Sequence, residues 1–366
     1  MTSSPVFIVG PSRSGTTLLQ EVLNRHSRFN ISAETHWFDD ERCRRNQPII
    51  ADSDRRDVQD WFLALSHKPF GYCGDPEAGW LKRSDLEREV RATDALATEV
   101  HAKEVHAKEV LATELHGTRD AYFVAACQLD AARHEKSRWG EKTPRHVFRI
   151  KDILAAFPDA KILCCVRNPP AMVASYQQWG MRVSHDITAE SQSNATVAEK
   201  RRTRDSYHPA IAALLWRSAV RRGLGAQQSF GDERVRLVQY EQLVCDAQTT
   251  IAELCEWLGE PYEAQMLSVP MINSSFDHFA RDAGFVSEPL NRWKQRLTIS
   301  DRAVVQLLCG REMRHFGYAP ICQWHQLWRA IPLLLQLPYA CWRAARANRN
   351  RIGKLLPYVW RRLRPL

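Results

Sequence analysis

The segment from Gly10 to Thr17 reads Gly-Pro-Ser-Arg-Ser-Gly-Thr-Thr and stands between a short apolar run and a helical pattern. Its two glycines let the backbone approach an anion closely. The N-terminus of the following helix offers free N–H groups at the positive end of its dipole. The pattern therefore predicts a phosphate-binding loop, whose contact residues we expect to be Arg13, Ser14, Gly15, Thr16 and Thr17.

One position of this loop argues against phosphoryl transfer from ATP. The nucleotide-binding pattern G-x-x-x-x-G-K-[ST] carries a lysine where this chain has Thr16. Without that lysine the loop is poorly suited to transferring a γ-phosphate, although it still suits a 5′-phosphate beside the Arg13 cation. A tight strand-to-helix turn that binds nothing is the alternative interpretation of the loop taken alone.

Three further motifs follow the loop along the chain. They are Glu141-Lys-Thr-Pro144, then Cys165-Val-Arg-Asn-Pro169 with Ser175 eight residues after its arginine, then Val238-Gln-Tyr-Glu-Gln-Leu243. Arg167 falls where a strand pattern ends, which is the edge at which open α/β sheets bind ligands. Its planar guanidinium suits a phosphate because it donates two bonds at once. An ion pair at a strand end is the alternative for this arginine.

Taken in order with the loop, these motifs resemble those of the sulfotransferases that use 3′-phosphoadenosine 5′-phosphosulfate (PAPS). The resemblance spans roughly residues 5 to 318. The arginine in the loop and the segment Ala33-Glu34-Thr35 resemble the tyrosylprotein-sulfotransferase branch most closely. The resemblance implies PAPS as the co-substrate and sulfuryl transfer to a hydroxyl, which needs no metal ion.

The resemblance also implies roles for single residues. Lys142, with Arg13 beside it, would stabilise the charge that develops on the leaving phosphate. Glu34 would be the general base, with His36 as the competing candidate two residues away. Surface positions for Lys142 and Glu34 and a structural role for His36 are the alternatives.

Four further residues are expected to bind the nucleotide. The resemblance assigns Arg167 and Ser175 to the 3′-phosphate, and Ser275 and Arg292 to a late segment that closes over that phosphate. Tyr240 either contacts the nucleotide or caps a core strand, and the sequence leaves both interpretations open.

The elements that must position these residues follow an α/β pattern. Strand patterns at 6–9, 160–166 and 235–240 are each followed by a helical pattern, which predicts a parallel sheet of the P-loop type in a three-layer arrangement with flanking helices. The first helix is predicted from Thr16 to Arg25. We expect one domain over 1–320, with a helical insertion at 84–133, a mobile loop at 182–207 and a C-terminal extension over 321–366.

The charge lies in that extension. Residues 321–366 hold nine of the 51 basic residues and no acid, which leaves 42 basic against 42 acidic residues elsewhere and makes the net charge +9 a property of the extension. Basic residues interleaved with tryptophan and leucine are typical of a helix in the interface of an anionic membrane. Packing on the body or on a partner chain is the alternative, and nucleic-acid binding is not expected.

Composition narrows the remaining functions of the 366-residue chain. No run of about 18 apolar residues occurs, no basic leader precedes the first strand, and the ten cysteines lack metal-ligand spacing. These features predict a cytoplasmic protein with reduced thiols, and the extension over 321–366 predicts a peripheral position on the inner face of the membrane. For the sulfotransferase, the expected acceptor is a peptide tyrosine, a carbohydrate or a lipid-linked hydroxyl. The alternative functions are a P-loop kinase and a non-catalytic, membrane-tethered nucleotide-binding protein.

Overall fold

The computed structural model describes residues 4–38, 49, 51–67, 77–100, 118–185, 202, 204–269, 285 and 290–349. Within these residues five strands occur, namely β1 (Val6–Val9), β2 (Phe29–Ser32), β3 (Arg138–Lys142), β4 (Lys161–Val166) and β5 (Val235–Gln239). The helices are α1 (Thr16–Arg25), α2 (Asp52–His67), α3 (Arg83–Val100), α4 (Arg119–Arg133), α5 (Ile150–Ala156), α6 (Pro169–His185), α7 (Pro209–Phe230), α8 (Tyr240–Cys245), α9 (Ala247–Leu258), α10 (Trp293–Arg296), α11 (Ile299–His315) and α12 (Ile331–Ala347). Short 3-10 helices cover Pro144–Arg149, Ala264–Leu267 and Trp324–Ala330.

The strands form a single five-stranded parallel sheet in the order β2-β3-β1-β4-β5. This confirms the predicted α/β class and the predicted P-loop type of fold. In the β1–β3 pair, Ile8 is opposite Lys142, so the last residue of β3 lies beside the end of β1, two residues before the loop begins. The carboxyl ends of parallel strands share one edge, where open α/β sheets bind ligands.

Two of the five strands were not predicted from the sequence. β2 reads Phe-Asn-Ile-Ser and β3 reads Arg-Trp-Gly-Glu-Lys, yet every residue of both strands is buried. Polar residues inside a sheet are compatible with burial only when hydrogen-bond partners are supplied from elsewhere in the fold. Gly140 is required in β3 because a Cβ there would lie 2.4 Å from the carbonyl oxygen of Val6.

The chain forms two compact units, and the first consists of residues 1–9 and 19–163. Its core is built on an aromatic cluster in which Phe7 contacts Phe38, Phe123, Trp139 and Phe157, with ring centroids 5.7–6.1 Å apart. Helices α3 and α4 fall in the predicted insertion, whose residues 101–117 lie outside the described part of the chain. The predicted domain boundaries stay a prediction.

The second unit consists of residues 10–18 and 164–366. Helices α6, α7 and α11 pack around a core that includes Trp216, Val173 and Val304. Helix α6 runs on to His185, and residues 204–206 are helical, so the described ends of the predicted 182–207 loop are helical while most of that loop lies outside the described residues. Helix α9 ends at Gly259, whose φ of +74° is the left-handed conformation that glycine adopts at helix ends.

Candidate active site

The predicted phosphate loop lies between β1 and α1, and its backbone is strained in the way such loops require. Gly10 has a φ of +141°, and a Cβ there would lie 2.3 Å from the carbonyl oxygen of Cys165. Gly15 has a φ of +89° and packs against the ring of Tyr240. Arg13 has a φ of +68°, which is uncommon for a residue with a side chain and is often found at functional sites. The loop therefore holds a fixed, backbone-exposing shape at the start of α1.

Arg13, Ser175 and Arg167, all predicted to bind the nucleotide, come together in the second unit. The Arg13 Nε donates a hydrogen bond to Ser175 Oγ at 3.0 Å, across 162 positions of sequence. An Arg167 Nη donates to the carbonyl oxygen of Arg13 at 3.2 Å. We call these three residues and Tyr240 the loop cluster.

The ring of Tyr240 packs against both Arg167 of the loop cluster and Gly15 of the loop. The Arg167 guanidinium lies 4.3 Å from the centroid of the Tyr240 ring, the same ring that packs against Gly15. Such stacking orients a guanidinium without using its hydrogen-bond donors. Tyr240 is the first residue of α8 and thus directly follows β5.

Two residues that the sequence interpretation did not assign hold the turn after β4. The Trp216 Nε1 donates to the carbonyl oxygen of Arg167 at 2.8 Å. The Glu241 carboxylate accepts from the backbone N–H of Asn168 at 2.9 Å and from the Tyr318 hydroxyl at 2.8 Å. Glu241 lies within the quoted Val-Gln-Tyr-Glu motif, so that motif carried a signal for it; Trp216 on α7 gave none.

Three buried polar atoms around the loop have no hydrogen-bond partner among the described residues. They are Ser14 Oγ, Arg167 Nε and Asn168 Oδ1. An unsatisfied buried polar group costs about 1–3 kcal/mol, and native proteins retain few of them. Two of the three atoms belong to residues that the sequence predicted as ligand contacts, Ser14 and Arg167.

The other predicted contacts have these positions. Thr16 and Thr17 begin α1, and Thr16 is buried. Arg292 is half-buried and precedes α10, a helix that packs on α6 and whose Arg296 donates to the Gln178 side-chain oxygen on α6. Ser275 lies outside the described residues.

Glu34, His36 and Lys142 form a second cluster, which lies in the first unit. The Lys142 ammonium is fully buried and donates to Glu34 Oε1 at 2.8 Å. The His36 Nε2 lies 3.4 Å from the other Glu34 oxygen. We call these three residues the acid–base cluster; the surface interpretation of Lys142 is wrong because none of its side chain is exposed.

These neighbours decide the charge state of Glu34. Burial alone would raise the pKa of this carboxyl, but the hydrogen bond with His36 and the charge and hydrogen bond of Lys142 outweigh burial and lower the pKa to about 2. Glu34 is therefore a carboxylate at neutral pH.

A buried network holds the backbone that carries Glu34 and His36. Glu141 Oε1 accepts from the backbone N–H and the hydroxyl of Thr35, both at 2.9 Å, and from the hydroxyl of Thr143. His146 bridges the network to the same segment, because its Nδ1 lies 3.1 Å from Glu141 Oε2 and its Nε2 accepts from the N–H of Phe38 at 3.1 Å.

The environment of this network fixes its charge. Burial would raise the pKa of Glu141, but His146 and the hydroxyl and backbone donors lower it below its ordinary value. His36 has a φ of +53°, so the network holds a strained backbone at a candidate base. Glu141 stood in the quoted Glu-Lys-Thr-Pro motif but was given no role; no local pattern indicated His146.

The described part of the chain contains neither a metal-binding cluster nor a membrane-spanning helix. There, no group of three or more histidine, cysteine, aspartate or glutamate side chains is placed to hold a metal ion. No helix over the same residues is long and apolar enough to span a bilayer. The eight cysteines within them are free thiols.

A parallel sheet with a glycine-rich loop at the end of β1 and an arginine at the end of β4 is an arrangement that α/β proteins use to bind phosphorylated ligands. Residues 5–264 match the sulfotransferase family, and the chain therefore belongs to that family.

The chain is similar to sulfotransferases of known structure. The sulfotransferase domain of the Synechococcus PCC 7002 olefin synthase is 19% identical, with a TM-score of 0.50 over 87% of this chain and 96% of that domain. A sulfotransferase of Mycobacterium avium is 16% identical, with a TM-score of 0.42 over 88% of this chain and 79% of that one. No curated protein sequence matches the chain.

Proposed function

We propose that this sulfotransferase transfers the sulfuryl group of PAPS to an acceptor hydroxyl and releases 3′,5′-phosphoadenosine. Membership of the family supports sulfuryl transfer in general. The observation that supports the nucleotide donor is the pair of buried hydrogen-bond donors, Ser14 Oγ and Arg167 Nε, that have no partner among the described residues and lie beside the predicted phosphate loop. A bisphosphorylated nucleotide would supply acceptors for the hydroxyl and the guanidinium.

The loop cluster is assigned to the two phosphates of the nucleotide. The N–H groups at the start of α1, the hydroxyls of Ser14, Thr16 and Thr17, and the Gly15 backbone bind the 5′-phosphate. Arg167 binds the 3′-phosphate through its free Nε, while its stacking on Tyr240 keeps the guanidinium plane fixed. Ser175 offers its hydroxyl to the same phosphate and is at present oriented by Arg13. Ser275 and Arg292 are the proposed residues that close over it.

The acid–base cluster is assigned to the transfer itself. When bound, PAPS supplies a sulfuryl group on a good phosphate leaving group. A bond forms between sulfur and the acceptor oxygen while the bond from sulfur to the phosphate oxygen breaks. The Lys142 ammonium, with Arg13, stabilises the negative charge that develops on the departing oxygen. Glu34 takes the proton of the acceptor hydroxyl.

The pairing of Glu34 with Lys142 couples these two roles. A carboxylate with a pKa of about 2 is a weak base, and the Lys142 charge is one of the causes of that low value. When Lys142 turns towards the developing charge on the leaving group, the carboxylate loses its cation and becomes a stronger base. His36 is the second candidate base, favoured by its contact with Glu34.

Glu141 and His146 serve as positioning residues in this mechanism. Their role is to position the segment that carries Glu34 and His36. Glu141 accepts a hydrogen bond from Thr35, and His146 accepts one from Phe38. A strained base segment needs such support because fractions of an ångström decide catalytic efficiency.

Titration calorimetry tests the donor. Wild type, Arg167→Ala and the control Arg311→Ala, an exposed residue of α11, are each titrated with 3′,5′-phosphoadenosine and, separately, with Mg-ATP. Losing a charged hydrogen-bond donor should weaken bisphosphate binding about 10- to 100-fold in Arg167→Ala, with Arg311→Ala unchanged.

The same titrations address the competing functions. Preference for Mg-ATP, or equal affinity in all three proteins, would contradict the proposal and favour a P-loop kinase. Tight bisphosphate binding without sulfuryl transfer to any hydroxyl would favour a non-catalytic nucleotide-binding protein.

The proposed base does not select among the candidate acceptors. A carboxylate base serves a tyrosine, sugar or lipid-linked hydroxyl equally well, so all three stay in the proposal. We place the enzyme in the cytoplasm, peripheral on the inner face of the membrane, where such acceptors are presented. No nucleic-acid partner is proposed.

A further inference from the structure

The helix α12 has two apolar faces, and among the described residues only one of them packs on the rest of the chain. Leu333, Leu334 and Leu337 pack against the core of the second unit, and Ala330 and Ala340 are buried. The helix contacts α7 and α11. This face therefore packs on the rest of the second unit, which was one of the two interpretations of the extension. The packing determines which side chains of α12 point away from the protein.

The opposite face is a row of large apolar side chains in solvent. It consists of Trp324, Trp328, Ile331, Leu335, Tyr339 and Trp342, each between 53% and 84% exposed. We call this row the outer stripe. Its last four members follow a spacing of four, four and three residues, which keeps them on one side of a helix. An apolar patch of this kind on a soluble domain marks a binding surface rather than chance exposure.

Guanidinium groups frame the outer stripe. Arg329 lies over the Trp328 ring at 5.4 Å, and Arg346 lies over the Trp342 ring at 5.6 Å. A cavity of about 460 Å³ at the end of the helix is lined by three arginines and an aspartate, together with Trp342 and Ala347; the charged residues are Asp205, Arg343, Arg346 and Arg349.

One of these arginines keeps a free donor. Arg343 donates to the carbonyl oxygen of Tyr207 at 2.8 Å, while its buried Nε has no hydrogen-bond partner among the described residues. An unpartnered guanidinium nitrogen beside two further arginines is suited to a phosphate oxygen.

We propose that the outer stripe and these arginines bind the surface of an anionic phospholipid bilayer, with the aromatic rings in the interfacial layer and the guanidiniums on lipid phosphates. Tryptophan and tyrosine favour that layer because they are amphipathic, and each basic residue near the surface adds attraction to anionic lipid. The absence of any acidic residue over 321–366 complements a negative surface. The surface shares no residue with the loop cluster or the acid–base cluster, so the inference does not depend on the proposed reaction.

Vesicle co-sedimentation of the full chain tests the surface. The probes are phosphatidylcholine vesicles with and without a third of phosphatidylglycerol, at low and high salt. The variants are Trp328→Ser/Leu335→Ser/Tyr339→Ser for the stripe and Arg343→Gln/Arg346→Gln for the charge. The control is Leu307→Ser, an exposed leucine of α11 outside the stripe.

We expect binding to the anionic vesicles only, weakened at high salt. The partition coefficient of the stripe variant onto the vesicles should fall at least about tenfold, because each apolar side chain buried in the bilayer interface contributes strongly to the free energy of binding. The charge variant should lose about fivefold or more per arginine and part of its salt dependence. Leu307→Ser should match wild type.

Three outcomes would overturn the proposal. They are no binding to either vesicle, an equal loss in the Leu307→Ser control, and self-association of the soluble chain that the stripe variant abolishes, which would assign the stripe to a second copy. Unchanged thermal unfolding and unchanged sulfotransferase activity towards a soluble acceptor would show that the variants are folded.

Discussion

The acid–base cluster and the loop cluster are both built from buried charged and polar groups, but they satisfy those groups differently. In the acid–base cluster the Lys142 ammonium and the Glu34 carboxylate pair with each other, and the Glu141 network below them is hydrogen-bonded on both carboxylate oxygens. In the loop cluster and the turn beside it, Ser14, Arg167 and Asn168 each keep a buried polar atom without a partner in the described chain.

The difference separates two ways of preparing a site. A cluster whose charged groups pair with one another keeps its geometry without a ligand. Its charged groups must exchange partners before they take part in a reaction. A cluster with unsatisfied donors, here Ser14 Oγ and Arg167 Nε, is less stable until a ligand supplies acceptors, so binding there is favoured. Substitutions in the first should therefore act mainly on stability and turnover, and those in the second mainly on affinity.

The largest effect is expected at Glu141. Glu141→Gln replaces a carboxylate that accepts from several donors by an amide that must also donate, which should lower the free energy of unfolding by about 3–5 kcal/mol. Chemical denaturation measures the loss. Asp130→Asn is the control, since Asp130 accepts from Asn30 and Ser32 but supports no part of the base segment.

A positioning role predicts more than instability. At a temperature where both variants are fully folded, Glu141→Gln should lower kcat with little change in KM, while Asp130→Asn should keep the kcat of wild type. Equal kcat values in the two variants would reduce Glu141 to a structural residue.

The next effect is expected at Lys142. Lys142→Ala removes the cation assigned to the leaving phosphate, and kcat should fall about 10²- to 10³-fold. Its affinity for 3′,5′-phosphoadenosine by calorimetry should change far less, because the loop cluster supplies the main contacts. A loss of affinity as large as the loss of kcat would erase the distinction between the two clusters.

A pair of glycines sharpens the loop side of the comparison. Gly15 and Gly259 both have positive φ. A Cβ on Gly15 would lie 2.3 Å from the Tyr240 ring, whereas a Cβ on Gly259 would have no atom within 4 Å. Gly15→Ala should displace the ring under Arg167 and weaken bisphosphate binding on the order of tenfold. Gly259→Ala should cost only about 1–2 kcal/mol of stability and leave affinity unchanged. Similar affinities for the bisphosphate in both variants would show that the position of the Tyr240 ring does not matter for binding.

The last prediction concerns the dependence of stability on pH. Because the pKa of Glu34 is lowered to about 2 from 4.5, its contribution to stability is complete above pH 4.5 and is lost as the pH falls towards 2. The difference in unfolding free energy between wild type and Glu34→Gln, at most about 3 kcal/mol, should shrink between pH 6 and pH 3.5. The exposed Glu253→Gln is the control, and a difference that stays constant with pH would contradict the paired state of Glu34.

Local patterns were sufficient for much of the fold. The first helix begins at Thr16 and ends at Arg25, as predicted. The strands at 6–9 and 161–166 also agree with their apolar, β-branched runs. β2 and β3 escaped prediction because their polar residues break the apolar pattern that marks a buried strand.

The sequence by itself determined the family, the α/β sheet, the phosphate loop and the residue types at each motif, because periodicity, glycine placement and motif order are local properties of the chain. Only the tertiary structure decided which partners satisfy the buried charges: Glu141 binds Thr35 across 106 positions, and Lys142 meets Glu34 across 108. It also decided which apolar face of α12 is covered and which forms the outer stripe. Burial and charge pairing are properties of distant contacts, and no window of sequence contains both members of such a pair.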